Sequence, residues 1–327
     1  METFARMNAA FFKKSWFSST LKLKEINTPE IKDDEVLLTI CGIGVNNNDL
    51  VKGSDVCPGI ECSGVISVVG RNVQDWKIGE RVCALVDGGA YAEQVAVPVK
   101  FLLRVPDSIP LEDAACLPSI ACNIWLALFT KEDRMMLKEE TILIREGASG
   151  LGVLAIQFAK YKGMKVIATA GTDQELEDCQ KYGADVCITT QVMTLLSVSF
   201  VLDYGTRHLN ENLLCCDLLG KVAIINLHGY EKTSIMFGVM NIMHLEYYEV
   251  DIRSESMDEK ALVIDEARTN LWPVVEKLEF IIEDKYPLRD AQRAHEALKK
   301  SNNLGNIILF NMQNEMSDEC SRRRKRV

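Results

Sequence analysis

Short apolar runs broken by glycine, proline and acidic turns fill the chain as far as Pro106. Glu35–Cys41 (EVLLTIC) follows Lys32-Asp33-Asp34, and Gly64–Val69 (GVISVV) ends at Gly70. Arg81–Val86 (RVCALV) ends at Asp87-Gly88-Gly89, and Tyr91–Val97 (YAEQVAV) is closed by Pro98. β-Branched runs of this length between turn residues predict strands. The interspersed glycines suit the tight bends of a compact antiparallel barrel. After Pro106 the texture changes. Ile109–Ala115 (IPLEDAA) carries acids where a helix dipole favours them, and Ile120–Phe129 predicts a buried helix. From Thr141 the pattern alternates: strand Thr141–Arg145, helix Gly150–Lys162, strand Lys165–Thr169, helix Asp173–Tyr182 and strand Val186–Thr189. Strand Phe200–Asp203, helix Asn210–Leu218 and strand Lys221–Asn226 continue it. Such alternation means βαβ units and a parallel sheet. The end of the chain predicts a helix around Asp258–Leu271, a strand around Phe280–Ile282, a helix around Ala291–Lys299 and a strand Asn306–Phe310. The apolar stretch Ile235–Leu245 (IMFGVMNIMHL) reads first as core, with a methionine-rich subunit contact as the other reading.

Composition narrows the function classes. A chain of 327 residues with 47% hydrophobic and 26% charged residues is an ordinary globular protein of about two domains. Its net charge of −10 repels polyanions, so nucleic-acid binding is not expected. The basic run Arg322–Arg326 (RRRKR) reads as a solvated terminus. The 11 cysteines include no Cys-x-x-Cys pair and read as small buried hydrophobes of a reducing compartment. No secretory leader and no apolar run of about 18 residues is visible, so a cytoplasmic protein without a membrane span is expected.

The chemistry-bearing motif is Thr141–Gly152 (TILIREGASGLG), an apolar strand running through Gly147-Ala148-Ser149-Gly150-Leu151-Gly152 into an amphipathic helix. Glycines there allow a tight turn and close backbone approach, and free N–H groups at a helix start bind phosphates. A glycine-rich turn that binds nothing has the same appearance. A site for NAD places Asp or Glu about 20 residues further on, at the end of the second strand. Here that end reads Thr169-Ala170-Gly171-Thr172, which favours NADP(H), although Asp173 and Glu175 follow. Zinc is not expected: all four histidines lie after residue 207, and Gly59-Ile60-Glu61-Cys62 has Ile60 where an imidazole would be needed.

Gly59-Ile60-Glu61-Cys62-Ser63-Gly64, Trp76–Val82 (WKIGERV), Gly88-Gly89-Ala90-Tyr91-Ala92-Glu93 and Ala148-Ser149-Gly150-Leu151-Gly152 form an ordered series. Thr169-Ala170-Gly171-Thr172, Gly183-Ala184-Asp185, Ala294-His295-Glu296 and Asn306-Ile307-Ile308-Leu309 complete it. Through this series the chain resembles the zinc-independent quinone oxidoreductases of the medium-chain dehydrogenase/reductase superfamily, of the zeta-crystallin-like, tumour-suppressor-inducible type. The resemblance implies an α/β protein with a doubly wound Rossmann sheet and a GroES-like β-barrel catalytic domain. It implies the barrel's first part at 1–122, a Rossmann NADP(H)-binding domain at 123–272, and a return segment with the tail at 273–327. It further implies NADPH bound in a cleft, hydride transfer to a quinone or another activated alkene or carbonyl, and a homodimer. Carried over by position, Asn46 and Asn123 lie near the nicotinamide. Gly147, Ser149, Gly150, Leu151 and Gly152 form the diphosphate turn, and Gly171 and Thr172 lie near the adenosine phosphate. The chain departs from the family's pattern in places. It is shorter between Asp49 and Pro58, where a tyrosine is missing, and between Gln191 and Phe200. Thr190 replaces a tyrosine, and Asn226-Leu227-His228-Gly229 stands at a glycine-richer turn. These departures motivate the alternative of a weakened nucleotide-binding relative acting as a binding or scaffold protein.

Overall fold

Strands β1 (Arg6–Lys14) and β2 (Ser19–Asn27) form an antiparallel hairpin in register from Arg6 opposite Asn27 to Lys14 opposite Ser19. The computed structural model describes residues 5–14, 19–50, 56–129, 139–190, 196–205, 207–225, 235–300 and 305–311. Next come β3 (Glu35–Val45), β4 (Glu61–Val69), β5 (Arg81–Leu85), β6 (Gln94–Pro98) and β7 (Leu102–Arg104). Helix α1 (Leu117–Leu128) follows. A parallel-sheet segment then runs β8 (Thr141–Ile144), α2 (Gly150–Tyr161), β9 (Lys165–Ala170), α3 (Asp173–Lys181) and β10 (Val186–Thr189). It continues through β11 (Val198–Tyr204), α4 (Leu209–Cys215), β12 (Cys216–Ile225), α5 (Phe237–Met243), β13 (Glu246–Val250) and α6 (Met257–Asn270). The described residues end with β14 (Ile282–Pro287), α7 (Ala291–Lys300) and β15 (Asn306–Phe310).

By Cα proximity the chain divides into two compact units, Met1–Ser119 with Ile282–Val327, and Ile120–Ile281. The first unit holds a seven-stranded sheet in the order β14-β15-β3-β4-β5-β7, with β6 added to β3. All its pairings are antiparallel except β14 with β15. β3 is its spine, touching β4, β6 and β15, and nine of its eleven residues are buried. A strand covered on both faces reads as continuously apolar, which is why EVLLTIC shows no alternation.

The second unit holds a parallel sheet in the order β10-β9-β8-β11-β12-β13. The chain starts in the middle at β8, runs outward to β10, then returns to the other side at β11. The strand order therefore reverses between β8 and β11, and a crevice outside the carboxyl ends of strands at such a reversal is where doubly wound folds bind ligands. Helix α2 buries Val153, Leu154, Ala155, Ile156, Phe158 and Ala159. Helix α3 is closed by Gly183, whose φ of +108° a side chain would resist.

The structure corrects several expectations. Ile235–Leu245 is not core: α5 leaves Phe237 71% and Ile242 76% exposed, and only Val239, Met240 and Met243 lean on the buried cluster around Leu245. A seven-residue helix covered along one stripe exposes the rest of its apolar surface. The strand expected around Phe280–Ile282 begins at Ile282 instead, and β2, β7 and β13 had no sequence counterpart. Tyr91–Val97 shortens to β6 because Tyr91 turns away from the strand to carry its hydroxyl into a buried polar cluster. The shortened loops' residues 51–55 and 191–195, the turn 226–229 and the basic run 322–326 lie outside the described residues. Among the described residues no helix is long and apolar enough to cross a membrane.

Candidate functional site

In the second unit, β8 delivers the chain to the turn 145–149 and α2 leaves from it. Ser149 is the N-cap of α2, its hydroxyl accepting from Gly152 N at 3.0 Å. Ser149 N donates to Glu146 O at 2.9 Å, and Gly147 N to Thr169 O at 2.8 Å, which binds the turn to β9. The N–H groups of Gly150 and Leu151 have no acceptor among the described residues, as the first turn of a helix dictates. With the α2 dipole behind them they form a ready anion site. The glycines divide the work. A Cβ on Gly147 would lie 2.8 Å from Cys179 Sγ and 2.9 Å from Ala168 Cβ. One on Gly152 would meet the Glu146 carbonyl oxygen and lie 2.7 Å from Gly147 Cα. These two are small so that the turn can pack.

The turn from β9 to α3 contains Gly171 and Thr172. Thr172 is the N-cap of α3 in a complete capping box, with its hydroxyl accepting from Glu175 N at 3.3 Å. The amides of Gly171 and Thr172 both donate to Glu175 Oε2, at 2.8 and 3.0 Å. Asn123 lies buried in α1, and its Oδ1 accepts from Ile252 N at 2.9 Å, so its carbonyl is committed to the chain itself. At the reversal of strand order, Arg145 follows β8 and Asp203 lies in β11. Arg145 Nε donates to Asn212 Oδ1 at 2.8 Å, and Asn212 Nδ2 donates to Asp203 Oδ2 at 2.6 Å. Burial pushes the Asp203 carboxyl above its ordinary range, against the hydrogen bonds from Asn212 and Tyr204 N. No signal in the linear sequence joined these three residues.

In the first unit, Asn46 belongs to a buried polar cluster that sequence reasoning did not assemble. Asn46 Nδ2 donates to Glu61 Oε1 at 2.8 Å, and Ser119 N donates to Glu61 Oε2 at 2.9 Å. Burial lifts the Glu61 carboxyl to about 7, in spite of those two donors. Asn46 N and Gly59 N donate to the two oxygens of Asp49, at 2.9 and 3.1 Å. Gly59 sits at φ +99°, and a Cβ there would strike the Tyr91 ring at 2.6 Å. Tyr91 Oη donates to Asp49 Oδ2 at 3.3 Å and lies 2.9 Å from His295 Nε2. Burial holds His295 down to about 4, which keeps its imidazole neutral. Tyr91 and His295 are 204 residues apart in sequence, so only the motif Ala294-His295-Glu296 pointed to the histidine.

A metal fits these groups poorly. Among the described residues no set of three or more His, Cys, Asp or Glu side chains is placed to hold an ion. Burial pushes the thiols of Cys57 and Cys62 up to about 12, whereas zinc binds thiolate. His295, the imidazole nearest this cluster, is turned to Tyr91.

Two family profiles match the chain. "Alcohol dehydrogenase GroES-like domain" covers residues 32–107, and "Zinc-binding dehydrogenase" covers residues 150–263. The chain belongs to the medium-chain dehydrogenase/reductase superfamily. Its two units are accordingly the superfamily's GroES-like domain and Rossmann-like sheet. Quinone oxidoreductase 1 of Escherichia coli is 25% identical over 322 residues, covering 91% of this chain and 98% of that protein. The chloroplastic NADPH-dependent alkenal/one oxidoreductase of Arabidopsis thaliana is 35% identical over 207 residues, covering 54% of this chain and 52% of that protein. Some relatives are much longer: the match spans only 7% of the low-reducing polyketide synthase drtA of Aspergillus calidoustus. The crystal structure of the Escherichia coli quinone oxidoreductase complexed with NADPH superposes with a TM-score of 0.78 at 24% identity, covering 94% of this chain and all of that one. At that identity the likeness is one of fold.

Proposed function

We propose that this protein is a zinc-independent reductase that transfers hydride from a reduced nicotinamide dinucleotide to a quinone or another activated alkene or carbonyl. The observation that carries the reading is the start of α2. Two backbone N–H groups without an acceptor among the described residues, an N-cap serine and a helix dipole meet at the carboxyl end of β8, beside the reversal of strand order. A dinucleotide diphosphate suits that site in charge and in the small residues around it. The relatives' names add the reaction class: a quinone oxidoreductase and an NADPH-dependent alkenal/one oxidoreductase.

The bound cofactor supplies the hydride, and the protein supplies orientation and electrostatics. Gly150 and Leu151 bind the diphosphate through their amides, and Ser149 holds the helix start in place. Asn46 is a polar side chain that the first unit holds in its buried cluster. Its amide nitrogen is tied to Glu61, which leaves its carbonyl oxygen as the acceptor group. A quinone needs one proton besides the hydride to become a hydroquinone, and solvent supplies it. The test is a fluorescence titration of the protein with NADH and with NADPH. It is followed by dinucleotide oxidation assays with a para-quinone and with an α,β-unsaturated aldehyde. Saturable binding with acceptor-dependent oxidation supports the reading. Binding without oxidation of either acceptor identifies a dinucleotide-binding protein without reductase activity, and absence of binding removes the reading altogether.

A further inference from the structure

In a doubly wound fold the adenosine ribose is received at the end of the second strand, where a carboxylate accepts from the 2′-hydroxyl or a cation receives a 2′-phosphate. Along the sequence the end of β9 has neither, and Glu175 comes five residues after Ala170. The capping box moves that glutamate. Its Oε2 accepts from Gly171 N at 2.8 Å and from Thr172 N at 3.0 Å, and a Cβ built on Gly171 would lie 3.2 Å from the same oxygen. The carboxylate is folded back over the strand end, where a strand-terminal aspartate would stand.

We propose that Glu175 makes this protein selective for NADH over NADPH, by fixing a negative charge where the 2′-phosphate would have to lie. The inference rests on the dinucleotide reading above. Three observations support it. First, the amides that could cradle a phosphate at this turn, those of Gly171 and Thr172, already donate to Glu175. Its other oxygen, Oε1, has no donor among the described residues and is open to a ribose hydroxyl.

Second, the turn and the start of α3 carry no cation to neutralise a phosphate. Between Val166 and Gln180 there is no Lys, Arg or His, and Asp173 adds a second acid to the first turn of α3. The adjoining strand β10 ends in Thr189 and Thr190, with Thr190 N bound to Ala170 O at 2.9 Å. Third, three described cations on the elements around this turn are engaged elsewhere. Lys160 pairs with Asp185 at 2.7 Å, and Lys181, at the far end of α3, pairs with Glu279 at 3.4 Å. Arg145, at the end of β8, reaches Asn212 of α4, the helix that follows β11 on the side away from β9. A like charge placed against an incoming ligand works as a selectivity element by repulsion. It sets this chain apart from relatives whose names carry NADPH.

The experiment is a direct binding titration of the protein with NADH and NADPH, read by the fluorescence of the reduced nicotinamide, at low and at high salt. NADH is expected to bind about tenfold more tightly or better at low salt. The ratio narrows at high salt because Glu175 is only partly buried and its field is screened. Glu175→Gln keeps the capping box, since glutamine serves at the same position. In that variant NADPH should tighten and the two dissociation constants should converge. The inference is overturned if the wild-type protein binds NADPH as tightly as NADH, if salt leaves the ratio unchanged, or if Glu175→Gln leaves it unchanged. Selectivity for NADPH would sink only this inference. Failure to bind either dinucleotide would sink the reading of the α2 turn and this inference together.

Discussion

Glu61 is the residue with the clearest pH signature. Its carboxyl is buried, bridges Asn46 and Ser119, and is lifted by burial from 4.5 to about 7. The folded protein therefore holds the proton more tightly than the unfolded chain. The stabilising contribution is fully present below pH 4.5 and is lost as pH rises toward about 7. Glu61→Gln stays neutral throughout. Its stability relative to wild type should improve by roughly 3 kcal/mol between those pH values. Urea midpoints of both proteins across that range test this, and parallel profiles would refute it. His295 runs the other way, because burial lowers it from 6.5 to about 4 and stability falls as pH drops through that window. That slope is common to both proteins and cancels in their difference.

Helix α2 shows what one element contributes. Its cap, its buried face and its glycines all serve the same geometry, a helix start pressed against the ends of β8 and β9. Gly152→Ala would drive a methyl into the Glu146 carbonyl and the Gly147 backbone, which cannot move aside as a side chain would. It should cost about 1–3 kcal/mol and lower the thermal midpoint by several degrees. Ser149→Ala removes only the N-cap bond and should cost about 1 kcal/mol. Equal thermal midpoints for Gly152→Ala and wild type would show that the turn has room the structure denies it. Most helices and strands of the second unit were legible because their periods are distinct, but β13 was not, and the helix expected to reach Leu218 gives way to β12 at Cys216. Strand β10 and strand β15 came out with the bounds the pattern predicted. Helix α5 did not reveal its surface position, since an apolar stretch has the same composition whether three of its residues or all of them find a partner.

At the scale of the molecule, the last described strand completes the sheet begun by the chain's first third. β15 pairs with β3, and Asn311 just beyond it donates through Nδ2 to Ile40 O at 3.0 Å and to Ala92 O at 3.1 Å. Asn311→Leu keeps the volume and removes both donors, leaving two buried carbonyls unpaired. It should cost about 2 kcal/mol or more and loosen β3 in particular. Hydrogen exchange that accelerates in Glu35–Val45 is the expected result, and unchanged exchange there would refute it. Sequence alone determined the class of the fold, the order of most elements and the glycine turn. Those depend on hydrophobic periodicity and on backbone conformations that few residues adopt, and both are local properties. Only the tertiary structure decided that Asn123 spends its carbonyl on Ile252, and that Tyr91, Asp49 and His295 share one buried cluster. Those outcomes turn on where a side chain's hydrogen bonds go once water is excluded, and the partners come from backbone amides and distant segments that no local pattern names.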